Sequence, residues 1–181
     1  MTTIAQSHVA REGFILPGDL SGYIGKKTLV KLILEAIEGL TARTSGCGAD
    51  GAGNPELQPA MMLTLLTYCY ATGIYASSDI EFGLQHDQMI RYLCAKNHVS
   101  SAVLLEFRRY SRDRIKECLA TVLQRVWELR FRDEDAGPMR DAPYAGFSFG
   151  RRLNKRIPDF MAQAEQRIVR AVQADSMAMD W

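Results

Sequence analysis

The segment PAMMLTLLTYCYATG, Pro59 to Gly73, is apolar on nearly every side. A helix with one apolar stripe lies on a surface, but a helix apolar all round must be covered from every direction. The rest of the chain therefore has to fold around this segment. Pro59 suits a first turn, where a missing N–H loses no hydrogen bond. Gly73 supplies the left-handed residue that ends such a helix. No apolar stretch reaches the roughly 20 residues of a membrane span. At 181 residues, 47% apolar and 24% charged, the chain has the length and usage of a globular domain with a sizeable core.

The other periodic segments carry narrower stripes. KKTLVKLILEAIEGL, from Lys26, places Leu29, Ile33, Ala36, Ile37 and Leu40 on one helical face. In the stretch from Ser101 to Phe131, Val103, Leu104 and Phe107 form one apolar face. Ile115, Leu119, Val122, Leu123, Val126 and Leu129 form another, with a bend expected near Ser111. Pro158 opens a last helix with Phe160, Ala164, Ile168 and Val172 on one side. There is no convincing strand and no internal repeat. The expected fold is all-α: a compact multi-helix domain with a helix-turn-helix-like corner and a C-terminal amphipathic helix. The corner is Tyr68 to Leu84, where Gly73 ends one helix and Ser77 or Ser78 caps the next. Asp79 and Glu81 suit the positive end of that second helix. Asp87 caps a further short helix, QMIRYLC. Three regions are expected: an irregular arm at 1–25 with the apolar cluster Phe14, Ile15 and Leu16, a helical domain at 26–132, and a linker with a basic helix at 133–181. Glycine-rich 41–58 and Asp133 to Gly146 read as loops.

Charge and cysteine usage exclude several classes. The formal net charge is +1, so no strong whole-molecule field draws in nucleic acid. Residues 1–100 carry 7 Lys/Arg against 9 Asp/Glu, and residues 101–181 carry 15 against 12. Cys47, Cys69, Cys94 and Cys118 form no CxxC pair and read as reduced thiols. Cys94 and His98 have a ligand-like spacing but no second pair to complete a zinc site, so neither a metal nor another cofactor is expected. GYIGKKT, Gly22 to Thr28, has too short a spacing for a phosphate loop and no preceding strand. Two-metal strand transfer needs acids converging from a rigid scaffold. Here Asp79 and Asp87 stand at helix starts, and Asp133 and Asp135 in a loop. His86 beside Asp87 has no nucleophile next to it. The chain is expected not to be an enzyme. With no basic region leading into an apolar run, it is expected to be cytoplasmic.

The arginines after Leu104, Leu105 and Phe107 are the better candidates. Arg108, Arg109 and Arg112 follow the apolar anchors, so one face can pack while the other offers guanidinium groups to phosphate or guanine. Ser100 and Ser101 stand where a helix start can hold a phosphate. Arg151, Arg152, Lys155 and Arg156 form a second basic cluster before the last helix. On spacing alone, a solvated charged face explains these arginines equally well.

The stretch Gln58 to Arg109 resembles the N-terminal domain of bacterial DDE transposases of the insertion-sequence type related to IS5 and IS1182. The resemblance rests on an ordered run of features: Pro59, the apolar run Met62 to Leu66, Tyr68 and Tyr70, Gly73, and the pair Ser77 and Ser78. It continues through Ile80 and Glu81, Leu84, Asp87, Tyr92 and Leu93, His98 and Ser100, and Phe107, Arg108 and Arg109, and extends more loosely over about Phe14 to Arg130. It implies a helical domain that recognises double-stranded DNA at terminal inverted repeats, in a transposition context. The family usually has a basic residue after the serine pair, where this chain has Asp79. The family's three-acid, ribonuclease-H-like catalytic domain is not seen. Two readings stay open. One is a DNA-binding module, from a truncated or split transposase or a domesticated regulator, working as a homo-oligomer or with a separate catalytic chain. The other is a helical module for protein interaction or oligomerisation. A membrane partner is not expected.

Overall fold

The computed structural model describes residues 15–44, 58–95, 97–136 and 158–178, with the backbone alone at 44, 130–136 and 178. Among the described residues there are eight helices and no strand. They are α1 Ser21–Ile24, α2 Lys26–Thr44, α3 Pro59–Thr72, α4 Ser77–His86, α5 Gln88–Leu93, α6 Ser101–Tyr110, α7 Arg112–Ala136 and α8 Phe160–Ala178. The chain is all-α, as its periodicities require.

The all-apolar segment is the central helix. In α3 every residue from Met62 to Ala71 is buried. The helix is surrounded by α2, α5, α7 and α8. α2 brings Leu29, Ile33, Ile37 and Leu40. α7 brings Ile115, Cys118, Leu119, Val122, Leu123 and Val126, and α8 brings Ala164, Ile168 and Ala171. Phe107 lies at the margin of this core, partly buried, while Leu129 and Val172 are exposed. Gly73 ends α3 with φ +85°, and the Ile74 amide returns to the Cys69 carbonyl at 2.8 Å. The chain also breaks at Ser111, which separates α6 from α7. No helix among the described residues is long and apolar enough to cross a membrane.

Several expected boundaries move. The arm is not irregular throughout, because Ser21–Ile24 is helical and Leu16 and Leu20 are buried. α2 runs on to Thr44, so the expected loop 41–58 is shorter at its start, and residues 45–57 lie outside the described residues. α7 continues through Asp133 and Asp135 to Ala136, past the expected start of the second loop. The remainder of that loop and the cluster Arg151, Arg152, Lys155 and Arg156 lie outside the described residues.

Far-UV circular dichroism should accordingly give a helical spectrum with negligible sheet. Ile168 is fully buried against the core from the last helix. Ile168→Ala should cost about 2–5 kcal/mol in urea unfolding, from reduced burial and the cavity left behind. An unchanged midpoint would mean that α8 is not part of the core.

Candidate nucleic-acid interface

Arg108, a sequence candidate for DNA contact, is 5% exposed. It sits one turn after Leu104 on the buried side of α6. Its Nη1 donates to the Tyr70 hydroxyl at 3.1 Å, and its Nη2 donates to Asp175 Oδ2. Asp175 is also buried and accepts from the Ser77 amide at 2.6 Å and the Ser77 hydroxyl at 2.9 Å. One carboxylate thus joins α4, α6 and α8, and Arg108 carries the network on to α3. The reading of Arg108 as a phosphate contact is corrected: its guanidinium is committed inside the fold. Burial pushes the Tyr70 phenol up to about 12, so it stays a neutral hydroxyl in this network.

The same carboxylate corrects the expected serine cap. The residue before α4 is Ala76, and no side chain next to it caps the helix. Asp175 does so from the far end of the chain, through the Ser77 amide. A comparable exchange occurs at α6. Ser100 makes no side-chain cap bond, and the Ser101 amide donates to Glu81 Oε2 at 2.8 Å. An anion from the protein already occupies this helix start, so a phosphate approaching Ser100 and Ser101 meets a carboxylate. Only Asp87 caps as expected, accepting from the Met89 and Ile90 amides at 2.7 and 3.1 Å.

The remaining arginines separate by exposure. Arg112 is half-exposed and donates to Glu165 of α8. Lys116 lies 3.5 Å from the same carboxylate and 3.6 Å from Asp113. Arg109 is exposed and makes no hydrogen bond or ion pair among the described residues. Of the α6–α7 candidates, Arg109 is the one with an uncommitted guanidinium.

A second buried arginine went unread in the sequence. Arg167 of α8 is 5% exposed. It donates to the carbonyls of Gly18 and Tyr70, both at 2.8 Å, and of Pro17 at 2.5 Å. Burial pushes its pKa down. The Leu20 amide bonds the Ala71 carbonyl at 2.9 Å, and the Leu16 amide bonds Gln163 Oε1 at 3.0 Å. These bonds fasten the arm to the end of α3 and to α8. No local pattern announces Arg167, because its acceptors are backbone carbonyls remote in sequence.

The sequence reading also passed over a cleft of about 660 Å³ where the start of α2 meets the α4–α5 corner. Lys26 and Lys27 line one side, Tyr92 and His86 another, and Val30 and Met89 add apolar surface. Phe82 is 62% exposed, and its ring stacks on His86 with centroids 3.9 Å apart and planes at 17°. Tyr92 is 73% exposed. Ile90 packs on Gly83 at this corner: a Cβ there would meet Ile90 Cδ1 at 2.8 Å, so the Ile90 side chain would have to shift. The available signal was aromatic residues on the polar sides of α4 and α5. Cys69, Cys94 and Cys118 are buried free thiols, and burial pushes Cys94 up to about 11 and Cys118 up to about 12. No group of three or more metal-ligating side chains occurs among the described residues.

Two outcomes check this polar framework. Asp175→Ala strands Arg108 without its counterion and should cost about 3–5 kcal/mol of stability. Asp175→Asn, which keeps an acceptor for Ser77, should cost less. The Ser101 amide holds the Glu81 carboxyl below its usual range, and Arg112 does the same for Glu165. A depressed folded pKa stabilises above the unfolded value of 4.5, and the contribution disappears as pH falls through the folded value. Urea midpoints should therefore fall below pH 4.5, and less steeply in a Glu81→Gln, Glu165→Gln variant.

The family model described as Transposase domain (DUF772) matches residues 19–110. Those residues run from the arm through α6 and contain Tyr70, Ser77, Arg108 and the whole α2–α4–α5 cleft. No curated protein matches the chain significantly, and no solved structure does. With its match extending over half its length, and with a helical fold closed around the matched segment, the chain belongs to the transposase domain (DUF772) family.

Proposed function

We propose that this protein is a DNA-binding module of the transposase type, which engages double-stranded DNA at element ends. The family match is the observation that carries this reading. Arg109, exposed and unpaired among the described residues, is its first contact, and half-exposed Arg112 is its second. Arg151, Arg152, Lys155 and Arg156 are further candidates. In this reading the α3–α4 corner acts as the helix-turn-helix. The module needs no metal or cofactor to bind, and it works in the cytoplasm.

The test is duplex binding by fluorescence anisotropy across a salt series. The expected result is weak binding whose log affinity falls linearly with log salt, because cationic side chains release condensed counterions. Arg109→Ala should flatten the slope by about 0.9 for each phosphate that is no longer neutralised. Arg109→Ala with Arg112→Ala should flatten it further and leave the helical spectrum intact. An unchanged slope would remove both arginines from the interface. No binding at low salt to any duplex would remove the proposal.

One observation favours a second reading. Met161, Val169 and Val172 lie exposed along α8, with Met177 beyond them. An apolar stripe on an outer helix suits association with a second copy of this chain. A concentration-dependent dimer in sedimentation, abolished by Val172→Glu, together with no DNA binding, would make oligomerisation the better description.

A further inference from the structure

We propose that the cleft between the start of α2 and the α4–α5 corner takes unpaired nucleotides of a DNA strand, with bases stacked on its aromatic wall and phosphates held by Lys26 and Lys27. The proposal rests on the reading that this protein binds DNA, and it assigns a different surface and a different form of DNA from the Arg109 face. Single-stranded nucleic acid is held by two chemistries together, flat aromatic rings and mobile cations at backbone distance. The cleft has both. Tyr92 presents most of its ring to solvent, at 73% exposure, and His86 lines the same cleft. The His86 ring is fixed twice, by stacking on Phe82 and by a 2.9 Å hydrogen bond between Nδ1 and the Phe82 carbonyl.

The cleft lining is also cationic. Lys26 and Lys27 are exposed, and Lys27 makes no ion pair among the described residues. The acid that lines the cleft, Asp87, is occupied: its Oδ1 accepts from the Met89 and Ile90 amides, and its Oδ2 lies 3.9 Å from Lys26. Half-buried Met89 supplies apolar surface for a base to cover, with buried Val30 beneath the cleft. The cleft is open to solvent and spans about 660 Å³, so a base can lie against its walls without being enclosed. Duplex DNA does not offer free base faces, so this chemistry selects frayed or single-stranded ends. The lysines come from GYIGKKT, which lacks the spacing of a phosphate loop but delivers both cations to the cleft.

The test uses the full chain and three labelled probes at one low salt concentration: a blunt duplex, the same duplex with a four-nucleotide unpaired tail, and a short oligothymidylate. The expected result is tighter binding to the tailed duplex than to the blunt one. Tyr92→Ala should remove about tenfold of affinity for the tailed duplex and the oligothymidylate, with the blunt duplex unaffected. Tyr92→Phe should restore it, since the ring and not the hydroxyl stacks. Lys27→Ala, at a second exposed site, should weaken the same two probes. If the tail adds nothing, or if Tyr92→Ala in a chain with an unchanged helical spectrum weakens all probes equally, the cleft is not this site. Binding to oligothymidylate without binding to blunt duplex would sustain this proposal and sink the duplex reading. Duplex binding indifferent to the tail would do the reverse, and no binding to any probe would overturn both.

Discussion

The carboxylate of Asp175 is the point at which this fold closes. A carboxylate and a guanidinium taken from water into a protein interior lose several kcal/mol of hydration each, and the loss is offset only with good geometry and satisfied neighbours. Arg108 and Asp175 meet that condition. The tyrosine hydroxyl of Tyr70, the amide of Ser77 and its hydroxyl supply the remaining partners. The position of α4 at its N-terminus, the position of α6 along its buried side, and the docking of α8 all follow from this one cluster. Arg167 repeats the device a few turns earlier on α8, with carbonyls in place of a carboxylate.

This arrangement changes what the family match means for the chain. The matched region ends at residue 110, and α8 begins at Phe160. Within the matched region Arg108 would keep Tyr70 but lack a counterion, and the α4 N-terminus would lack its cap; α8 supplies both from outside it. α8 also buries Ala164, Ile168 and Ala171. The proposed interface is shaped by the same closure. Arg108 is drawn inward, Arg112 and Lys116 lean on Glu165, and Arg109 is left facing solvent. On the other side, Ile90 packs closely on Gly83 at the α4–α5 corner, and Phe82 and Tyr92 are exposed beside it.

Most of the architecture was legible because it follows from periodicity. The all-apolar segment named the central helix, and the stripes on α2, α7 and α8 named much of what covers it. Gly73, Asp87 and the break at Ser111 were readable because their effects are local. The caps of α4 and α6 were not. A serine before a helix is a sound local signal, but Asp175 and Glu81 reach those amides from remote positions, and no short window contains both partners. Arg108 misled for the same reason. An arginine at the end of an amphipathic helix reads as solvated unless its buried acid is known, and that acid lies in the last helix. The aromatic cleft escaped notice because Lys26, His86 and Tyr92 come together only after α2 and α5 pack around α3.

Native-state hydrogen exchange tests most directly the claim that α8 and the matched helices form one cooperative unit closed by Asp175. The Ser77 amide is the reporter, since it stands at a helix start and owes its protection to a side chain of α8. Closure by Asp175 predicts that Ser77 exchanges only with the slowest amides of α3 and α7, and that the core amides of α8 exchange with them. Rapid exchange at Ser77, or α8 opening at a much lower free energy than α3 and α7, would contradict it.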